Sequence, residues 1–346
     1  MSDEGQTLDG AIPPARNTRL FGHDEAVTFL SKAYQTGTMH HAILLEGPEG
    51  IGKATLAYRF AYHMLTHADP LAAPASVSDP DLSQPLLRQI ASGASHNLLH
   101  LARPVDAKTG RIKSSITIEE VRRAGHFLSQ TSGTGNWRVV IVDTADDMNR
   151  SAANAILKIL EEPPKKTVFF VLSHIPGRLL PTIRSRCMPL RLKPLDDAAM
   201  RMGLEHLGLT SGQDRAVVDG VIARSDGSLA HAILLLRYGG LEIAERCDAI
   251  LSEGKGQEKK AVHALADTLA ARDREQAYRY FVAYALDHAS RHARDAATAG
   301  DLISSAHWAK VTAELQQSAT SSDIYNLDRK QTVISAFSLL FQSPTA

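Results

Sequence analysis

Cysteine is almost missing from this chain: 346 residues hold two, Cys187 and Cys247, far apart. No disulfide framework and no four-cysteine zinc module can be built from such a pair, so zinc is not expected, and a reducing, cytoplasmic compartment is. Aromatic residues are scarce at 5%, while Ala and Leu abound, which favours helices. An excess of charge of either sign is also missing, because Lys+Arg and Asp+Glu both count 38. That leaves no global pull toward nucleic acid or anionic lipid, and a DNA contact would need a local patch. Long hydrophobic runs are lacking too. WRVVIV (137–142) and TVFFVL (167–172) are far too short to cross a bilayer. The opening MSDEGQTLDGAIPPARN is acidic, then proline-rich, with no apolar centre. It does not read as a secretory signal, and a disordered tail is expected over 1–16.

Three short aliphatic runs stand out: HAILLE (41–46), RVVIVD (138–143) and TVFFVLS (167–173). Each is followed by turn residues and then by helical spacing. Continuous apolar strands alternating with helices predict a parallel sheet buried on both faces. Further strands are expected near 98–103 and 188–192. Residues 68–85 carry repeated proline and no apolar period, which predicts a surface loop or insertion. After Lys193 strand signals stop. Short helices are expected at 196–207, 213–225 and 228–237, then longer ones including 274–297, 301–318 and 323–341. The predicted plan is an α/β domain over 17–192, a small helical domain over 193–240 and a helical bundle over 241–346, with no internal repeat.

GPEGIGKAT, Gly47–Thr55, follows the first strand and opens a helix. Gly47, Gly50 and Gly52 let backbone amides approach phosphates, the helix N-terminus adds its positive end, and Lys53 can reach the β- and γ-phosphates. The residue after that lysine normally gives Mg²⁺ a hydroxyl, but here it is Ala54. Thr55 lies one step on, rotated by about 100°, within reach of an α-phosphate but badly placed for the metal. VVIVDTADD resembles a Walker B strand, with Asp143 as its metal carboxylate. The next position holds Thr144, a very weak base at neutral pH. Asp146 and Asp147 suit the start of the next helix, the other reading being a substitute for the missing base. Two departures on two strands describe a nucleotide-binding fold without its hydrolytic parts.

Residues 149–187, NRSAANAILKILEEPPKKTVFFVLSHIPGRLLPTIRSRC, resemble the clamp-loader branch of the AAA+ proteins. The long ordered stretches Ala152–Pro164 and Leu179–Cys187 carry the resemblance, with RLFGHDEAVTFL and HHAILLEGPEGIGK upstream in keeping. It extends over about 16–240; the C-terminal helices fit by length and position only. The resemblance implies a RecA-like AAA+ domain with flanking helices, a helical lid and a C-terminal collar. Within the family an ATPase subunit, tau/gamma, stands beside a non-hydrolysing relative, and Ala54 with Thr144 places this chain with the latter. At the sensor-2 position, usually Gly-Ser-x-Arg, the chain reads Gly227-Ser228-Leu229-Ala230, without the arginine. Ser173 matches the sensor-1 position, or is an ordinary strand-end hydroxyl.

The resemblance also assigns Arg186, in Ser-Arg-Cys, as an arginine finger completing a neighbour's ATP site, the other reading being a salt bridge on its own surface. The partners implied are the tau/gamma and delta subunits of a five-subunit loader, with the sliding clamp and primed DNA reached through the complex. Binding of ATP or ADP without hydrolysis fits the remaining loop. The zinc module of some family members would fall within 67–115, which has no cysteine; His96 and His100, spaced for one helix face, read as surface histidines. Lys165–Lys166 and Arg122–Arg123 read as solvated charges. Two competing readings are an active tau/gamma-type ATPase with unusual Walker residues and a nucleotide-binding regulator outside replication.

Overall fold

The computed structural model describes residues 8–77, 79–81, 83–106, 110, 112–129, 135–253, 259–271, 273–325 and 327–342. Residues 1–7 of the expected tail lie outside them. The chain divides into two compact units, 1–232 and 233–346, and each is described by itself. In chain order the first unit contains α1 (Asp24–Gln35), β1 (Ala42–Glu46), α2 (Lys53–Thr66), α3 (Pro85–Ala91), β2 (Leu98–Leu101), α4 (Ile118–Ser129), β3 (Arg138–Val142), α5 (Arg150–Glu161), β4 (Thr167–Ser173), α6 (Pro181–Arg184), β5 (Met188–Arg191), α7 (Asp197–His206) and α8 (Arg215–Arg224). Helix α9 (Leu229–Arg237) crosses the division.

The five strands form one parallel sheet in the order β2-β3-β4-β1-β5. Every residue of β1 and β4 is buried, as expected of strands covered on both faces. Alternation of side chains sorts one strand into two cores. Ile43, Leu45 and Phe170 face a cluster with Leu30 of α1 and Phe60 of α2. Leu44, Val140 and Phe169 face another with Ile156 and Leu160 of α5 and Ile183 of α6. Phe60 and Phe170 meet edge to face at 6.2 Å, a favoured aromatic geometry.

Helix α5 shows how local sequence places the site. Asn149 caps it, its side-chain oxygen accepting the Ala152 amide at 2.9 Å. Ala152, Ala153, Ile156 and Leu160 form its buried stripe. Pro163 and Pro164 then forbid continuation, and Glu162 leaves helical geometry at φ −130°. Arg59 of α2 donates to Asp79, within the expected loop, at 2.8 Å and to the Thr18 carbonyl at 2.6 Å. Ala15 is buried in the first core.

The second unit holds α10 (Gly240–Glu253), α11 (Lys259–Ala270), α12 (Glu275–Thr298), α13 (Leu302–Tyr325) and α14 (Arg329–Leu340), with Phe281 and Phe337 in contact at 5.5 Å. The helix expected over 323–341 is shorter. Residues 323–325 complete α13, and Asp328 caps α14 by accepting the Lys330 amide at 2.8 Å. Among the described residues no helix is long and apolar enough to cross a membrane.

Candidate phosphate-loop site and its arginine

Strands β1, β3 and β4 end together at the C-terminal edge of the sheet, where open α/β folds bind ligands. Gly47 follows β1, Asp143 follows β3 and Ser173 closes β4. The Gly47 amide donates to the Ser173 carbonyl at 3.3 Å, joining two of these ends. The expected loop residues are therefore neighbours in space.

The loop is closed on itself. Lys53 is 3% exposed, and its ammonium donates to the carbonyl of Gly47 at 2.6 Å and to that of Pro48. Burial lowers its pKa to about 8, against the opposing pull of Glu49, Asp143 and Asp146. The Gly50 carbonyl accepts the Leu229 amide at 3.1 Å. Gly50 has φ +76°, and a Cβ there would lie 2.3 Å from Ser228 Oγ, so only glycine fits. The segment where sensor 2 is expected thus sits directly on the phosphate loop. Ala54 brings no hydroxyl, and Thr55 is buried within α2.

At the end of the second strand the Thr144 hydroxyl is engaged on both sides. Thr144 Oγ1 lies 3.0 Å from His174 Nε2 and donates to Asp143 Oδ1 at 3.3 Å. His100 Nε2 stands 3.5 Å from the other Asp143 oxygen. Burial alone would raise the Asp143 carboxyl, but the bond and charge of His100, with His174 and Thr144, hold it below its ordinary value. His100 is therefore not a surface histidine. It lies on β2, two residues along from the partner of Val139, and its ring turns to the Walker B carboxylate. Of the two side chains that hold Mg²⁺ in phosphate-loop NTPases, the one at Ala54 has no oxygen, and the Asp143 carboxylate is in contact with Thr144 and His100.

Asp146 is a strut. It accepts the Ser173 hydroxyl at 2.7 Å and the His174 amide at 2.6 Å, tying the turn after β3 to the end of β4. Asp147 pairs with Arg103 at 3.2 Å. Both acids lie in a short 3-10 turn, 145–147, ahead of α5 rather than in its first turn. His174 belongs to the site although no sequence motif marks it; burial, then the Lys53 charge, lowers its pKa.

Arg186 stands just past α6. Its Nη2 meets Glu161 Oε1 at 2.5 Å and its Nη1 donates to the Thr182 carbonyl at 2.9 Å. Arg184, at the end of α6, is exposed.

Residues 22–196 match the family model described as DNA polymerase III, delta subunit. The chain belongs to the DNA polymerase III clamp-loader subunits of the AAA+ family. It is similar to DNA polymerase III subunit delta' of Pseudomonas aeruginosa, 37% identical over 189 residues, 54% of this chain and 53% of that protein. It is also similar to subunit tau of Escherichia coli, 30% identical over 269 residues, 76% of this chain and 38% of that one. The chain thus spans about half the length of the first of these relatives and less of the second. Among solved structures, a gamma subunit-related protein of Thermotoga maritima is 17% identical with TM-score 0.38, covering 92% of this chain and 98% of its own. The Thermotoga maritima RuvB branch migration motor has TM-score 0.41 at 17% identity, covering 76% and 75%.

Proposed function

We propose that this chain is the non-hydrolysing, delta-prime type of subunit in a bacterial clamp loader. It would complete the ATP site of an adjacent tau/gamma subunit with Arg186 while its own loop turns nothing over. The supporting observation is that both positions where hydrolysis needs a specific oxygen are unfit. Ala54 has none, and the Thr144 hydroxyl is engaged by Asp143 and His174. The loop's glycines and Lys53 are compatible with holding ATP or ADP, provided that the Lys53 bonds to Gly47 and Pro48 are exchanged for phosphate.

The function of Arg186 is to neutralise charge that develops on a neighbour's transferred phosphoryl group. Delta and tau/gamma are the partners this reading requires, with the sliding clamp and primed DNA as substrates of the whole loader. The competing reading is a tau/gamma-type ATPase, favoured by the 76% of this chain matched to the Escherichia coli tau subunit. Steady-state ATPase of the isolated chain separates them. The proposal expects no turnover above a Lys53→Ala control. Lys53-dependent turnover would establish the ATPase instead.

A further inference from the structure

The Arg186 guanidinium is already neutralised within its own chain. Glu161 Oε1 holds Nη2 at 2.5 Å while the Thr182 carbonyl holds Nη1 at 2.9 Å. Both partners of the ion pair are partly exposed, the side chains at 34% and 48%. An exposed pair of this kind is weak and exchangeable. Glu161 also sits in the last turn of α5, where the helix's negative end disfavours a carboxylate and so strengthens its demand for a cation.

We infer that Glu161 is a positioning residue that acts as a latch on Arg186. In the free subunit its carboxylate keeps the guanidinium folded back. A neighbour's triphosphate, with more negative charge and a geometry suited to the arginine fork, displaces it. The Thr182 bond stays as the pivot. No covalent step is involved, only an exchange of counter-ion. The inference rests on the finger reading of Arg186 and adds a residue to it.

Two measurements separate the latch from that reading. In the isolated chain, phenylglyoxal modification of Arg186 is followed by mass spectrometry. Glu161→Gln is expected to raise its rate, and Glu161→Asp to restore the slower one. In the reconstituted loader, Glu161→Gln is expected to raise the kcat/KM of ATP hydrolysis about 1.4- to fivefold, the range an exposed pair represents. The same substitution beside Arg186→Ala changes nothing. An unchanged or lowered kcat/KM, or an equal rise without Arg186, overturns the latch, because a productive support or a general charge effect then accounts for Glu161. An unchanged modification rate in Glu161→Gln sinks the latch and leaves the finger standing. Wild-type ATPase in Arg186→Ala sinks both.

Discussion

The ammonium of Lys53 donates to the carbonyl of Gly47, the first residue of its own loop, at 2.6 Å. A phosphate entering the loop has to replace that bond and its companion to Pro48. Nucleotide binding to the isolated chain is therefore expected to be weak and indifferent to Mg²⁺. Ala54→Ser supplies the missing hydroxyl, so it should make binding of labelled ATP tighter with Mg²⁺ than without. Equal tightening by Mg²⁺ in the natural chain would contradict this account of the metal site.

Gly50 and Gly212 share φ +76°, yet only Gly50 has a neighbour where a Cβ would go. Replacing either by Ala carries the left-handed cost of about 1–2 kcal/mol. Gly50→Ala must also push Ser228 and Ala230 away. Hydrogen exchange at the Leu229 amide, which is bonded to the Gly50 carbonyl, is expected to quicken in Gly50→Ala and to stay unchanged in Gly212→Ala. Unaltered protection in both variants would show that the loop and the start of α9 are not coupled.

Buried His63 packs against the rings of Tyr34 and Phe60, and burial pushes its pKa down to about 4. The folded state therefore refuses a proton that the unfolded state accepts below 6.5. Stability is full above that value and falls as pH drops toward 4, by on the order of 3 kcal/mol. His63→Phe should make urea midpoints fall less steeply between pH 6.5 and 4. The slope that remains comes from His23, His41 and His174, which burial also holds below the ordinary value, and from His288, near 4, in the second unit.

Phe170, on β4, is fully buried and packs edge to face on Phe60 of α2. Phe170→Ala is expected to destabilise the first unit by about 3–5 kcal/mol, through lost transfer energy and the cavity left behind. Urea unfolding followed by Trp137 fluorescence measures it. A change under about 1 kcal/mol would mean that the site collapses around the smaller side chain.

The sheet is legible in the sequence because its strands are buried on both faces. Unbroken runs such as TVFFVLS have no other economical fate, and β4 spans the residues of that run. The start of the last helix is not legible, because no change of period separates 323–325 from the residues of α14. The boundary is set by a single cap, Asp328. At the site, Ala54 and Thr144 are readable as substitutions in a fixed pattern. His100 and His174 are not, because their nearness to Asp143 arises from strand order and register, which are long-range. Spacing to His96 puts His100 on a helix face, although the run 98–103 reads as a strand. In the sheet its partner on β3 is Ile141, next but one before Asp143. The Arg186–Glu161 pair joins residues 25 apart in sequence, and only the packing of α5 beside α6 brings them together.

On the function proposed above, this chain hydrolyses nothing and supplies Arg186 to a neighbour. The most direct measurement is steady-state ATPase of a loader reconstituted with tau/gamma and delta, comparing the natural chain with Arg186→Ala matched for thermal stability. The account predicts that turnover at the adjoining site falls about tenfold or more. Full ATPase in the Arg186→Ala complex would contradict it.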